Sequence, residues 1–149
     1  MRRYLPKTLV LETEVESDAG AVSVTDALPS GPNPDGHSLC SSPPRVLVRR
    51  IECIRGEVEV TVEHRPRPEY GLVVPLLTCE PGAVRARGGP TRVMLSLPWP
   101  AHVADGAATA TGRLRMGDVL LVGVEVGALT EPPSPCGLSR SSSTCWTRP

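Results

Sequence analysis

The sequence contains no phenylalanine, and aromatic residues make up only 3% of its 149 residues. A hydrophobic core must therefore be built from valine, leucine, isoleucine and alanine. Branched aliphatic side chains pack better across a pleated sheet than along a helix. Long helices are also disfavoured, because 17 prolines and 14 glycines interrupt the chain at short intervals. Together these shortages predict an all-β domain.

The chain also lacks an excess of either charge, with 16 basic and 16 acidic residues. No global field draws it to nucleic acid or to an anionic membrane, so neither is expected as a partner. The longest apolar run, residues 119–126, is interrupted by Gly123 and Glu125 and is too short to span a bilayer. Five cysteines without paired spacing, and no signal-peptide pattern, predict a cytoplasmic setting.

Alternating hydrophobicity is what the sequence does contain. From Glu57 to Glu63 charged or polar residues alternate strictly with valine, which is the period of a half-buried strand. Arg55-Gly56 precedes this run, so residues 46–54 and 57–65 are predicted to form a β-hairpin. A second hairpin is predicted over residues 9–26. Further short strands are predicted at 72–74, 76–78, 83–87, 92–97, 107–111, 114–116 and 119–126. Short, turn-linked strands at this spacing predict an antiparallel β-sandwich.

Two segments have no strand pattern. Residues 29–44 are rich in proline, serine and glycine and predict a long connecting loop. Residues 127–149 have no periodicity and almost no apolar content, which predicts a disordered C-terminal tail. The composition of this tail is what GC-rich DNA yields in a shifted reading frame. The predicted β-sandwich domain is therefore 1–126.

One segment departs from every alternation rule, and it carries the candidate site. Residues 65–71 contain two prolines, which remove backbone donors and interrupt a sheet. The side chains around them then project from a rigid, extended stretch. The candidate binding or domain-interface residues are Arg65, Arg67, Glu69, Tyr70 and Gly71. The alternative interpretation is a polar bend at the edge of a sheet.

Four segments occur in an order that resembles a known family: residues 3–13, 24–26, 50–58 and 66–71. Their succession is similar to the N-terminal β-sandwich of the glucoamylase- and trehalase-type glycoside hydrolases, family 15. The family opens on tyrosine-leucine-proline-aspartate-threonine-asparagine, and Lys7 and Leu9 stand at two of these positions here. The resemblance extends from Arg3 to Val126. It implies a trehalase-like N-terminal domain.

The resemblance also implies what this chain lacks. In the family, a segment rich in aspartate, tryptophan and arginine precedes the sandwich, and a large (α/α) barrel with two catalytic glutamates follows it. This sequence begins after the first and ends before the second. The resemblance therefore implies a truncated domain, incomplete at its N-terminus. Its partner in an intact enzyme is the catalytic barrel.

No catalytic residue, metal ligand or cofactor is predicted in the chain itself. Glu57, Glu59 and Glu63 share a strand face, where residues two apart are about 7 Å from each other. Glycosidases need two carboxyls about 5 to 9.5 Å apart. An alternating acidic face is normally solvated, however, whereas a general acid needs a desolvated site. The three histidines show no ligand spacing with the cysteines: His37, His64 and His102.

The sequence thus predicts a non-catalytic domain that supports a glycoside hydrolase barrel and has no activity alone. The alternative is a stand-alone carbohydrate-binding or interaction module. Sugar platforms use exposed aromatic rings, so Tyr70 and Trp99 on a shared exposed face would favour this alternative. A third interpretation is a product without a role, which predicts unpaired sheet edges and exposed valine faces.

Overall fold

A computed structural model describes residues 1–29 and 45–129 of the chain. These residues form ten strands and one short 3-10 turn, and every strand pair is antiparallel. The strands are β1 Arg2–Tyr4, β2 Leu11–Ser17, β3 Gly20–Ala27, β4 Val46–His64, β5 Leu76–Glu80, β6 Ala83–Gly88, β7 Thr91–Ser96, β8 His102–Ala104, β9 Ala107–Arg115 and β10 Val119–Ala128. The turn is Glu69–Gly71. The predicted all-β, antiparallel class is confirmed.

The strands form two ladders that share β4. The main ladder runs in the order β1-β2-β3-β4-β10-β7-β6-β5. The short ladder consists of the second half of β4 with β9 and β8. Among the residues described, no helix is long and apolar enough to cross a bilayer.

The hairpin predicted around Gly56 is wrong, because β4 is one strand of 19 residues. Its first half pairs with β3 and β10, and its second half pairs with β9. Gly56 has φ +71° and lies where the strand passes from one ladder to the other. The pairing register with β3 shifts just before it, in a bulge at Ile54, since Ala21 lies opposite Arg55 and Val22 lies opposite Cys53. A glycine with positive φ suits a turn and a bulge equally, so the local sequence does not separate them.

The place where β4 changes ladders, which we call the crossing, comprises Ala19, Gly20, Arg55 and Gly56. A Cβ on Gly20 would lie 2.2 Å from the Arg55 carbonyl oxygen, and a Cβ on Gly56 would lie 2.2 Å from that of Ala19. Only glycine allows the two backbones to approach this closely. The β9–β10 turn also fixes the crossing, because the Met116 N–H donates to the Gly56 carbonyl at 2.9 Å.

Other strand predictions hold with changed bounds. The second hairpin is confirmed as β2 and β3. The two strands predicted at 107–111 and 114–116 are one strand, β9, with Gly112 inside it. The strand predicted at 72–74 is wrong, because the turn Glu69–Gly71 and an irregular stretch lead directly into β5. Strands β1 and β8 were not predicted.

The core is a single cluster to which both ladders contribute. Its buried members are aliphatic, apart from one cysteine: Val22, Ile51, Cys53, Leu77, Val84, Ala86, Leu95, Leu97, Ala108, Ala110, Leu114, Leu120 and Val122. This agrees with the phenylalanine-free composition. The division into two stacked sheets stays a prediction.

The predicted domain bounds, 1–126 and 127–149, stay a prediction. Strand β10 continues to Ala128, two residues into the predicted tail. The rest of that tail and almost all of the predicted loop 29–44 lie outside the described residues.

Candidate interface around residues 65–76

The candidate site begins where β4 ends, at His64. Pro66 and Pro68 follow, and neither can donate a backbone hydrogen bond to a neighbouring strand. The chain then makes the turn Glu69–Gly71 and reaches β5 at Leu76. The sequence-based prediction that the prolines interrupt the sheet agrees with this course.

The turn is left-handed. Glu69 has φ 52°, Tyr70 has φ 56° and Gly71 has φ 90°. Glycine adopts this conformation freely, but each non-glycine residue in it costs on the order of 1 to 3 kcal/mol. Two hydrogen bonds close the turn: the Gly71 N–H donates to the Pro68 carbonyl at 3.2 Å and the Leu72 N–H to that of Glu69 at 3.0 Å. The turn holds the Tyr70 side chain fully in solvent.

Arg67 anchors the segment to the short ladder. Its Nη1 donates to its neighbour's carbonyl, that of Pro66, at 2.8 Å and to the Gly106 carbonyl at 3.0 Å. Gly106 follows Asp105 in the two-residue turn between β8 and β9, where both have positive φ. The Arg67 guanidinium is thus engaged in holding the chain in place.

A second anchor lies at the turn between β6 and β7. A Cβ on Gly88 would lie 2.7 Å from Val73 Cγ1 and 3.0 Å from the Pro75 Cα, so the segment packs tightly there. Glu69 approaches the next residue, because a Cβ on Gly89 would lie 3.7 Å from its Cγ. The stretch from Arg67 to Pro75 is therefore fixed between two turns.

The side chains that alternate with these anchors are largely exposed, although Val74 also lies against the β8–β9 turn, where a Cβ on Gly106 would be 3.0 Å from its Cγ1. Leu72 is 86% exposed, Leu76 is 72% exposed and Val74 is 64% exposed. With the fully exposed Tyr70 they form a row that we call the apolar edge: Tyr70, Leu72, Val74 and Leu76. Their alternation in the sequence was interpreted as strand pattern, so the last three were missed as site residues. Alternation alone does not tell a core face from an exposed one.

Arg65, the first residue of the predicted site, contributes a surface ion pair. Its Nε lies 3.0 Å from Glu63 Oε1, and both side chains are about half exposed, at 54% and 55%. Such pairs contribute at most about 1 kcal/mol. The predicted residues therefore lie in one fixed segment with different roles. Tyr70 is exposed to solvent, Arg67 holds the segment against the β8–β9 turn, and Glu69 and Gly71 form the left-handed turn.

A shallow apolar groove lies next to the same β6–β7 turn. Its volume is about 710 Å³, and it is lined by Leu28, Arg45, Val46, Leu47, Pro90, Thr91, Val124, Val126, Gly127 and Ala128. Pro90 belongs both to this groove and to the β6–β7 turn, which follows Gly88 and its contacts with Val73 and Pro75.

The acidic face of β4 offers no carboxyl suited to acid catalysis. Glu57 Oε2 accepts from Arg115 Nε at 3.2 Å, and Glu59 Oε2 lies 3.8 Å from Arg113 Nε. These carboxylates are exposed and face arginines across the ladder. The exposure agrees with the solvated sheet face that the sequence favoured, and the arginines across the ladder compensate its charge.

The two described candidates for an aromatic sugar platform, Trp99 and Tyr70, differ in their exposure to solvent. Trp99 packs against the core, and its ring covers Gly112, where a Cβ would lie 2.6 Å from Trp99 Cε2. Tyr70 is fully exposed. The shared exposed face that would favour sugar stacking is therefore not formed by this pair.

The described histidines and cysteines do not converge. Within residues 1–29 and 45–129, no group of three or more histidine, cysteine, aspartate or glutamate side chains could hold a metal ion. His64 continues the inward-facing row of Val58, Val60 and Val62. Burial lowers its pKa below the ordinary value of 6.5, because the charged imidazolium is poorly solvated there.

One ion pair is buried rather than exposed. Arg92 Nη2 on β7 lies 3.0 Å from Glu125 Oε1 on β10, and their side chains are only 7% and 13% exposed. Arg92 pairs with Gly127 and Glu125 pairs with Met94, so both charged residues lie on the same face of the main ladder. This face is the one that points away from the core. The pair joins adjacent strands below the surface, whereas the Arg65–Glu63 pair is open to water.

Part of the chain is similar to the protein named Trehalase from Mycolicibacterium smegmatis. The two are 33% identical over 81 residues, which cover 48% of this chain and 12% of the trehalase. The chain thus spans a small fraction of that relative. No family model and no solved structure matches. The described chain is an all-β, antiparallel protein with a region of trehalase-like sequence.

Proposed function

We propose that this chain is a non-catalytic β-sandwich domain of a trehalase-like glycoside hydrolase and supports a catalytic (α/α) barrel that it does not contain. The observation that carries the proposal is the 33% identity with a trehalase over 81 residues, only 12% of that enzyme. A region of this size is typical of an accessory domain. The proposal includes the finer assignment to the N-terminal domain of family 15 and a cytoplasmic setting.

The geometry of the described residues supports this role. The acidic face of β4 is exposed and paired with arginines, so it lacks the desolvated acid that glycoside hydrolysis needs. Segment 65–75, by contrast, is fixed on both sides by turns, as suits a surface that positions another domain.

A direct assay tests whether the chain acts alone. The purified protein is expected to release no glucose above a blank from trehalose, maltose or starch. Turnover that scales with protein concentration and survives further purification would contradict the proposal.

A second assay tests the supporting role. The M. smegmatis trehalase without its 81 matched residues is co-expressed with this chain and, as a control, without it. The chain is expected to copurify with the shortened enzyme and to restore trehalose hydrolysis. Absence of both effects would contradict the proposal.

A stand-alone carbohydrate-binding module has less support. Trp99 is packed against Gly112, so Tyr70 is the one exposed ring of the pair. Sugar platforms depend on such rings.

A further inference from the structure

We propose that the apolar edge, with Arg87, is the surface on which the catalytic part of a trehalase-like enzyme docks. The partner surface is apolar and carries a carboxylate that pairs with Arg87. This inference rests on the proposed function and names the contact through which it operates.

The apolar edge gathers four exposed apolar side chains within the short stretch from Tyr70 to Leu76. Its four side chains are all at least 64% exposed and follow one another at every second position from Tyr70 to Leu76. Single exposed hydrophobic residues are normal on protein surfaces, but contiguous apolar patches mark interaction sites. Tyrosine, in addition, is enriched at the energetic centres of interfaces.

The backbone presents this row at a cost. Glu69 and Tyr70 are both held at positive φ, although neither is glycine. The strained turn places the Tyr70 ring entirely in solvent, where it buries no apolar area. Backbone strain that no contact within the isolated chain offsets is typical of functional segments.

The anchors make the surface rigid before a partner arrives. Arg67 holds the segment to Gly106, and Val73 and Pro75 pack on Gly88. Because the contact groups are already ordered, little conformational entropy is lost on docking.

Arg87 supplies the charge that defines the partner. It lies directly opposite Leu76 across the β5–β6 pair and is exposed. Arg85 on the same strand pairs with Glu80 at 2.9 Å. No ion pair or hydrogen bond joins the Arg87 side chain to any residue in the ranges 1–29 and 45–129. A carboxylate at the rim of an apolar patch would complement it.

The position at which the chain leaves the described fold also favours the catalytic part of the enzyme as the partner. The Leu129 N–H donates to the Pro90 carbonyl at 3.0 Å, so the chain leaves the described fold at the β6–β7 turn, beside the apolar edge. Polypeptide joined beyond this point starts next to the docking surface. The relative has 88% of its length outside the matched region, given that the match covers 12%.

The test uses the co-expression of the full chain with the shortened trehalase. Three forms of the chain are compared: wild type, Leu72→Ser/Leu76→Ser, and the control Met116→Ser/Val119→Ser. The control also removes two exposed apolar side chains, at 71% and 44% exposure, but from the turn and strand next to the crossing. We expect the edge variant to lose about tenfold or more in copurified enzyme and in trehalose hydrolysis, as for central interface residues. The control is expected to match wild type.

A charge reversal gives an independent readout. Arg87→Glu is expected to weaken copurification about tenfold, and its effect shrinks at high salt. Arg55→Glu, an exposed arginine at the crossing, serves as the control. Circular dichroism of each purified chain shows whether the variants remain folded.

The outcomes separate the two proposals. If wild type restores activity and the folded edge variant does so equally, the docking surface is wrong and the proposed function stands. If wild type neither copurifies nor restores activity, both fail. If sedimentation shows that the chain alone dimerises and that Leu72→Ser/Leu76→Ser makes it monomeric, the occupant is a second copy and the inference is overturned.

Discussion

The crossing at Gly56 and the segment 65–76 are both irregular stretches of backbone attached to β4, yet they are built in opposite ways. At the crossing, the backbones approach so closely that a Cβ on Gly20 or Gly56 would lie 2.2 Å from a carbonyl oxygen. At the apolar edge, Tyr70 adopts a conformation suited to glycine, and its ring contacts solvent. The irregular backbone at the crossing allows β4 to join both ladders. The strained backbone at Tyr70 is not offset by burial of its ring within the described chain, which is why we assign it to function.

The same contrast appears in the ion pairs. Arg92 and Glu125 form a pair at 3.0 Å whose side chains are almost fully buried, whereas Arg65 and Glu63 form one at 3.0 Å that is about half exposed. The two pairs have the same N–O distance but unequal interaction energies, because water screens the exposed pair and not the buried one. The contribution of a charged residue in this protein follows from its burial.

The largest expected effect comes from breaking the buried pair. Arg92→Met removes the arginine of this buried pair and is expected to lower the free energy of unfolding by about 3 to 5 kcal/mol. Arg65→Met is the matched control, with an expected loss of at most about 1 kcal/mol. Urea unfolding followed by circular dichroism measures both. The variant Arg92→Met/Glu125→Leu should recover most of the loss, and equal losses for Arg92→Met and Arg65→Met would contradict the contrast.

The next effect tests the crossing. Gly56→Ala introduces a Cβ that collides with the Ala19 carbonyl and a residue that disfavours φ +71°. We expect a loss of about 3 kcal/mol in unfolding free energy, because strain and steric collision combine. Gly117→Ala separates these terms, since φ there is +91° but nothing lies within 4 Å of the added Cβ. A loss at Gly117 as large as that at Gly56 would show that close approach is unimportant.

The apolar edge should respond with the opposite sign. Tyr70→Gly relieves the left-handed strain at φ 56° and removes a ring that buries nothing. We expect the unfolding free energy to rise by about 0.5 to 1 kcal/mol, the relieved strain less the entropy that glycine adds to the unfolded chain. Tyr4→Gly is the control on an ordinary strand, where the same exchange is expected to destabilise. Destabilisation at Tyr70 would remove the argument from strain.

The smallest expected effect concerns pH. Burial lowers the pKa of His64 in the folded state below 6.5, and no described residue hydrogen-bonds its Nε2. The unfolded chain therefore binds more protons just below pH 6.5, so this contribution to stability is full above that pH and is lost as the pH falls. His64→Asn should flatten the dependence of unfolding free energy on pH between about 5 and 7. His102→Asn, at an exposed position on β8, is the control for replacing a histidine.

Much of the fold follows from the sequence alone. A chain without phenylalanine, rich in valine and interrupted by proline and glycine, has few alternatives to short antiparallel strands. The alternation around Glu57–Glu63 correctly indicated a half-buried strand with a solvated acidic face. The prolines at 66 and 68 correctly indicated the end of pairing. Each of these features depends on residues that are neighbours in the chain.

Tertiary structure decided what depends on distant residues. Whether Gly56 forms a hairpin turn or lies inside a continuous strand was decided by Ala19 and by the β9–β10 turn. Both form backbone hydrogen bonds with the residues around Gly56. Whether Leu72 and Leu76 lie in a core or in solvent was set by the remote backbone at Gly88, against which the intervening Val73 and Pro75 pack. Local sequence fixes which conformations a residue tolerates. Only the packing of remote backbone decides which of them is adopted and which side chains face water.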